Sequence, residues 1–143
     1  MTQAQVPSLA LDTCVFSLLR TGRGRHAEFA SLVRGHAIAL PFPVVGELKA
    51  GAIRAAWGVK PRKALDTAIR RCTVIPSDTR VVDQWAELSA RFVGRLKAGG
   101  VNDMWIAACC VVHGLPLATA NLSDFETIAG EFPGLQIVHP DLP

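Results

Sequence analysis

The stretch Leu9-Ala-Leu-Asp-Thr-Cys-Val-Phe-Ser-Leu-Leu19 decides how the rest of the chain is read. Leu9–Leu11 is a short apolar run suited to a buried strand, and Asp12 stops it abruptly. Thr13 then offers a hydroxyl to cap a helix through Phe16, Leu18 and Leu19. A strand running into a helix places Asp12 at the carboxyl end of that strand, the edge of an open parallel α/β sheet where ligands bind.

Outward from this unit, apolar runs and helical patterns alternate. A basic loop, Arg20–Arg25, leads to a helix through Glu28, Phe29, Leu32 and Val33 that Gly35 stops. Ala37–Phe42 reads as a second strand, with Pro41 at its exit and Pro43 in the first turn of a helix ending near Gly58. A helix over Pro61–Arg71 leads into a third strand, Cys72–Pro76, after which Asp78 caps a long helix. Its apolar stripe runs through Val81, Trp85, Leu88, Phe92 and Leu96, and the segment from Lys97 to Gly100 ends it. Asn102 is expected to cap a helix from Asp103 to His113, closed by Gly114. Leu117–Ala120 forms a fourth strand, Ser123–Glu126 fits a capping box, and Leu135–Val138 supplies a fifth strand. Strands alternating with helices predict one domain over residues 1–143. The fold class is α/β, an α/β/α sandwich on a mainly parallel sheet of about five strands.

Composition bounds the function. Half of the 143 residues are hydrophobic, yet no stretch approaches the ~20 apolar residues of a membrane helix. Met1–Pro7 lacks the basic and apolar regions of a signal peptide, so a cytoplasmic location is expected. The four cysteines fall in apolar runs without C-x-x-C spacing, which predicts buried free thiols. A net charge of +3 permits a nucleic-acid partner without demanding one.

Among the 12 acidic residues, four share one kind of location, the start of a helix just beyond a strand or loop. Asp12 follows the first strand, Glu47 lies one turn into the helix after the second, Asp103 opens its helix, and Asp124 opens the helix after the fourth strand. On a parallel sheet all four converge on one edge. Clustered carboxylates repel, and a hard divalent cation such as Mg²⁺ or Mn²⁺ relieves that repulsion. Two such ions ~4 Å apart activate water and stabilise the leaving oxygen in phosphodiester cleavage.

The succession D-T-C-V-F, V-V-G-E-L, N-D-M-W-I-A-A and L-A-T-A-N-L-S-D-F resembles the PIN-domain nucleases, and within them the VapC-type ribonuclease toxins. The resemblance spans nearly the whole chain. It implies an endoribonuclease dependent on Mg²⁺ or Mn²⁺, with Asp12, Glu47, Asp103 and Asp124 as catalytic metal ligands. It further implies that Thr13 and Asn121 orient the site by hydrogen bonds. Asn102 stands where many relatives carry a small residue.

Arg20, Arg23 and Arg25 are candidate contacts for RNA phosphates, since an acidic site alone repels RNA. Trp57, Trp85 and Trp105 fit helix faces as core or interface residues, and the four histidines lack the spacing of a zinc site. A rival reading, a phosphatase with Asp12 as nucleophile, lacks the second aspartate two residues on, where Cys14 stands. A non-catalytic PIN-like binding module would not need all four acids. The apolar residues of Thr13–Leu19 and Pro43–Trp57, taken with the resemblance, predict a homodimer and a small antitoxin protein as partners.

Overall fold

The protein was analysed as a computed structural model that describes residues 5–97 and 100–143. Five strands, β1 (Ser8–Leu11), β2 (Ala37–Pro41), β3 (Thr73–Ile75), β4 (Leu117–Ala118) and β5 (Ile137–Val138), form one sheet in the order β3-β2-β1-β4-β5. Every neighbouring pair is parallel, with Ala10 opposite Leu117 and Leu9 opposite Ile38. Successive residues of a strand face opposite sides of a sheet. Leu9, Ala10 and Leu11 are all buried, as are Leu117 and Ala118, so the sheet is covered on both faces as expected.

The helices are α1 (Thr13–Thr21), α2 (His26–Val33), α3 (Phe42–Arg54), α4 (Val59–Arg70), α5 (Thr79–Phe92), α6 (Val101–His113) and α7 (Leu122–Glu131). The chain winds outward from β1 to β2 and β3, then returns through α5 and α6 to place β4 on the other side of β1. The carboxyl ends of β1 and β4 therefore flank a topological switch point, where open α/β sheets form their ligand crevice. α6 is buried from Met104 through Cys110 except at the half-buried Trp105, and packs against α5 and α3. That placement fits a sequence that is apolar on nearly every side.

Several boundaries differ from the expectations. Asp12, not Thr13, caps α1 by accepting from Val15 N at 2.8 Å. Asp12 is the last extended residue before the helix, so its carboxylate faces the orphan amides, whereas Thr13 already lies in the first turn. α3 ends at Arg54, because Ala56 adopts a left-handed φ of 54° and Trp57 N turns back to Ala52 O. α5 stops at Phe92, two residues before Gly94 at φ 77°, so Leu96 completes the apolar stripe from a turn rather than from the helix. The expected stop over Lys97–Gly100 falls partly on residues 98 and 99, outside the described residues.

α6 starts behind Gly100 at φ 70°, which puts Asn102 inside its first turn instead of at the cap. The Ser123 capping box does not form, since α7 already begins at Leu122 behind Asn121. α4 begins at Val59, two residues before Pro61, because a proline in the first turn removes an amide that has no helical partner. β3, β4 and β5 are each shorter than expected. All four cysteines are free, with Cys109 and Cys110 buried. Cys14, expected in the core, is exposed because the first turn of α1 opens onto a cleft.

Phe92 is fully buried beside Phe132, and Arg95 stacks over its ring. Phe92→Ala is expected to cost about 3–5 kcal/mol, read as a lower urea midpoint. Val82→Ala, on the exposed side of the same helix, should stay within about 0.5 kcal/mol.

Candidate active site

Asp12 is 6% exposed, and both of its oxygens are engaged. Oδ1 caps α1, while Oδ2 accepts from Thr119 Oγ1 at 2.6 Å and from Ala120 N at 3.1 Å. The Thr119 hydroxyl itself accepts from Asn121 N at 2.9 Å. Burial pushes the Asp12 pKa up, and the hydroxyl and amide donors around it pull the other way.

Asp103 comes from the first turn of α6 and Asp124 from the first turn of α7. Asn121 lies between them, and its Nδ2 donates to Asp103 Oδ2 at 2.9 Å and to Asp124 Oδ2 at 3.3 Å. Burial, with the charges of Asp124 and Asp12 behind it, raises the Asp103 pKa to about 6. Asp124 is 2% exposed and accepts from Lys97 N at 3.0 Å, which ties the turn after α5 to α7. Glu47, on α3, is also raised by burial. Neighbouring Thr13, Asn102 and Arg54 lower its pKa, whereas Asp12 raises it further. The Thr13 hydroxyl is buried beside Glu47 without a hydrogen bond of ordinary geometry.

Asp12, Thr13, Glu47, Asn102, Asp103 and Asn121 line one cleft of about 410 Å³. Asp124 stands behind its wall rather than in it. Among the described residues, no three His, Cys, Asp or Glu side chains form a ready-made cage for a metal ion. The donor set nevertheless suits a hard cation. It is all oxygen, and its excess negative charge is recorded in the elevated Asp103. Mg²⁺ in particular binds through one or two carboxylates, keeps waters and takes phosphate oxygens as further ligands.

The three arginines expected in one basic loop separate, because α1 runs to Thr21 and takes Arg20 into its last turn. Arg20 lines a groove that shares Thr13 and Glu47 with the cleft. Arg23 is exposed in the turn between α1 and α2. Arg25 is held by Glu28 and by Asp141, the latter at 2.8 Å, which pins the C-terminal segment to α2. Trp85 and Trp105 stack on each other at 4.7 Å and are packed against the core, whereas Trp57 is 39% exposed.

Two residues of the site escaped the sequence reading. Thr119 reads as a strand residue, and the signal that points to it is a single polar residue within the apolar run Leu117–Ala120. Asn102 was read as a cap, yet it lies beside Glu47 in the cleft.

With this geometry, comparison with known proteins identifies the family. Residues 9–131 match the PIN domain, and the chain belongs to that family. Ribonuclease VapC4 of Mycobacterium tuberculosis is 28% identical over 124 residues, covering 82% of this chain and 92% of that protein. Among solved structures, VapBC-1 of nontypeable Haemophilus influenzae is similar with a TM-score of 0.72 at 22% identity, covering 94% of this chain and 98% of that one. VapBC2 of Rickettsia felis, bound to a DNA fragment from its promoter, gives 0.71 at 20% identity, covering 92% and 97%.

The raised Asp103 carries a signed prediction for the metal-free protein. A carboxyl whose folded pKa, about 6, lies above its unfolded value binds protons more readily when folded. Its ionisation therefore costs stability increasingly between about pH 4 and 6 and fully above that range. In EDTA, Asp103→Asn should raise the melting temperature at pH 7.5, and the gain should vanish toward pH 4. Asp12→Asn should not share this gain, because its single acceptor oxygen cannot serve both Val15 N and the Thr119–Ala120 pair, and its NH2 would face one of these donors.

Gly100 lines the cleft at φ 70°, and a Cβ there would stand 2.5 Å from Leu96 Cδ1. Gly100→Ala is expected to displace the start of α6 and lower both melting temperature and metal affinity, read by calorimetry.

Proposed function

We propose that this chain is a divalent-metal-dependent endoribonuclease acting as the toxin of a toxin–antitoxin pair. The observation that carries the reading is the convergence of Asp12, Glu47 and Asp103 from three separate elements on one cleft at the switch point. The similarity to a relative named as a ribonuclease supports RNA as the substrate. The residues that would hold Mg²⁺ or Mn²⁺ are Asp12, Glu47 and Asp103, with Asp124 completing the negative charge from behind. Such an ion supplies an activated water and stabilises the leaving oxygen.

The chain's own contributions are positional. Thr119 and the Ala120 amide fix the Asp12 carboxylate, and Asn121 orients Asp103 while holding it near Asp124. Thr13 and Asn102 lie beside Glu47 in the cleft. Both Asp12 oxygens accept hydrogen bonds, an arrangement suited to a fixed ligand and poorly suited to a phosphorylated nucleophile. Arg20 on α1 and Arg23 in the following turn would meet phosphates, since Arg25 already serves two carboxylates.

The partner reading is a small antitoxin and a homodimer. The relatives described as VapBC and toxin–antitoxin complexes support the antitoxin. The apolar surplus offers less support than expected. Val15, Phe16, Val44, Leu48 and Ala52 are core residues, which leaves Ile53 and Trp57 as the large exposed side chains of the two stretches.

In Mg²⁺, the purified chain should cut RNA, and Asp103→Asn or excess EDTA should reduce cleavage at least a hundredfold. Retention of full cleavage by Asp103→Asn with an unaltered fold would refute the metal-site assignment. Co-expression with the small protein encoded beside it should yield a stable complex without nuclease activity, measured by mass and cleavage.

A further inference from the structure

We propose that the groove between α1, α3 and α4 is the subsite for the nucleotide next to the scissile bond, its base stacked on Trp57 and its phosphate held by Arg20 and Arg54. This inference rests on the nuclease reading and adds the residues that seat the substrate strand.

The groove opens directly from the acidic cleft, because Thr13 and Glu47 line both. Its volume is about 400 Å³, and its floor is built from Leu48, Gly51, Ala52 and Leu65. Such small and apolar residues leave room for a flat ring. Trp57 stands at the far wall, turned there by the left-handed backbone of Ala56 and anchored through Trp57 N to Ala52 O at 3.0 Å. It differs from Trp85 and Trp105, which stack on each other. Among the described residues no ring packs on Trp57, and a partly exposed indole of this kind is a platform on which any base can stack.

The charges of the groove complement a nucleic-acid backbone. Arg20 lines it from α1 and Arg54 from α3, and among the described residues neither forms an ion pair. The guanidinium of Arg54 lies back along its helix, 4.0 Å from where a Cβ on Gly51 would stand. It is also close enough to Glu47 to lower that carboxylate's pKa. A strand whose reacting phosphate meets three carboxylates needs compensating cations nearby, and Arg20 and Arg54 line the groove that adjoins the cleft. A purely apolar helix would leave both guanidinium groups facing its apolar side, so charge favours RNA as the occupant.

The test uses the full chain and a fluorescein-labelled pool of random-sequence ten-nucleotide RNA. Binding is read by anisotropy on an Asp103→Asn background, and cleavage by the otherwise native protein is read in parallel. Trp57→Ala should weaken binding about tenfold or more, and Trp57→Phe should restore most of it. Arg20→Gln and Arg54→Gln should each make the salt dependence shallower by about one unit of slope, and ion-paired Arg25→Gln should leave it unchanged. Melting temperatures confirm that the variants fold.

Trp57-dependent binding without cleavage by the native residues would overturn the nuclease reading and keep the groove as an RNA-binding site. Cleavage with binding indifferent to Trp57 and Arg54 would overturn the subsite alone. The same substitutions abolishing capture of the neighbour-encoded protein while sparing RNA would also overturn it, and would make the groove a protein dock.

Discussion

The carboxylate of Asp12 is the knot of this structure. One oxygen terminates β1 and starts α1, and the other accepts from Thr119 and Ala120 at the end of β4. The two central strands are thereby joined at the place where the chain reverses its direction of winding. Those contacts are short, buried and partly charge-assisted, the class of hydrogen bond with the largest effect when broken. A group this well satisfied is fixed in orientation, so the cleft inherits one wall that does not move.

The other walls are built on a conflict. Burial raises the proton affinity of Asp103 and Glu47, and the charges of Asp124 and Asp12 on the first and of Asp12 on the second add to it. Nothing in a hydrophobic core favours gathering like charges, so the arrangement persists because β1, α3, α6 and α7 are held by apolar packing elsewhere. Asn121 shows how the conflict is contained. Its single amide group donates to two carboxylates that would otherwise face each other across a poorly screened gap. Strained or repulsive groupings of this kind, maintained by surrounding stability, are characteristic of functional sites.

Much of this was legible from the order of residues. The alternation of apolar runs and helical stripes announced a parallel sheet, and the position of each acid after a strand or at a helix start announced a shared edge. The structure departs from the pattern where local backbone chemistry competes with periodicity. Gly94 ended α5 early although Leu96 continued its stripe, and Gly100 displaced Asn102 from the cap it was expected to fill. Thr119 was hidden for a different reason. Its importance arises from a contact with a residue 107 positions away, and no local window reveals a pairing at that separation. Cys14 misled because an apolar neighbourhood in sequence does not reveal that its helix turn faces the cleft.

That same separation has a consequence in time. β1 lies at the centre of the sheet, yet its partner β4 is made from nearly the last fifth of the chain. At synthesis rates of roughly 5–20 residues per second, about 5–20 s pass between the emergence of Asp12 and that of Thr119, which are 107 residues apart. Throughout that interval the acids exist without a cleft. Until β4 has been made the nascent polypeptide lacks the contact that closes the cleft, and whatever meets it has that interval to engage it first.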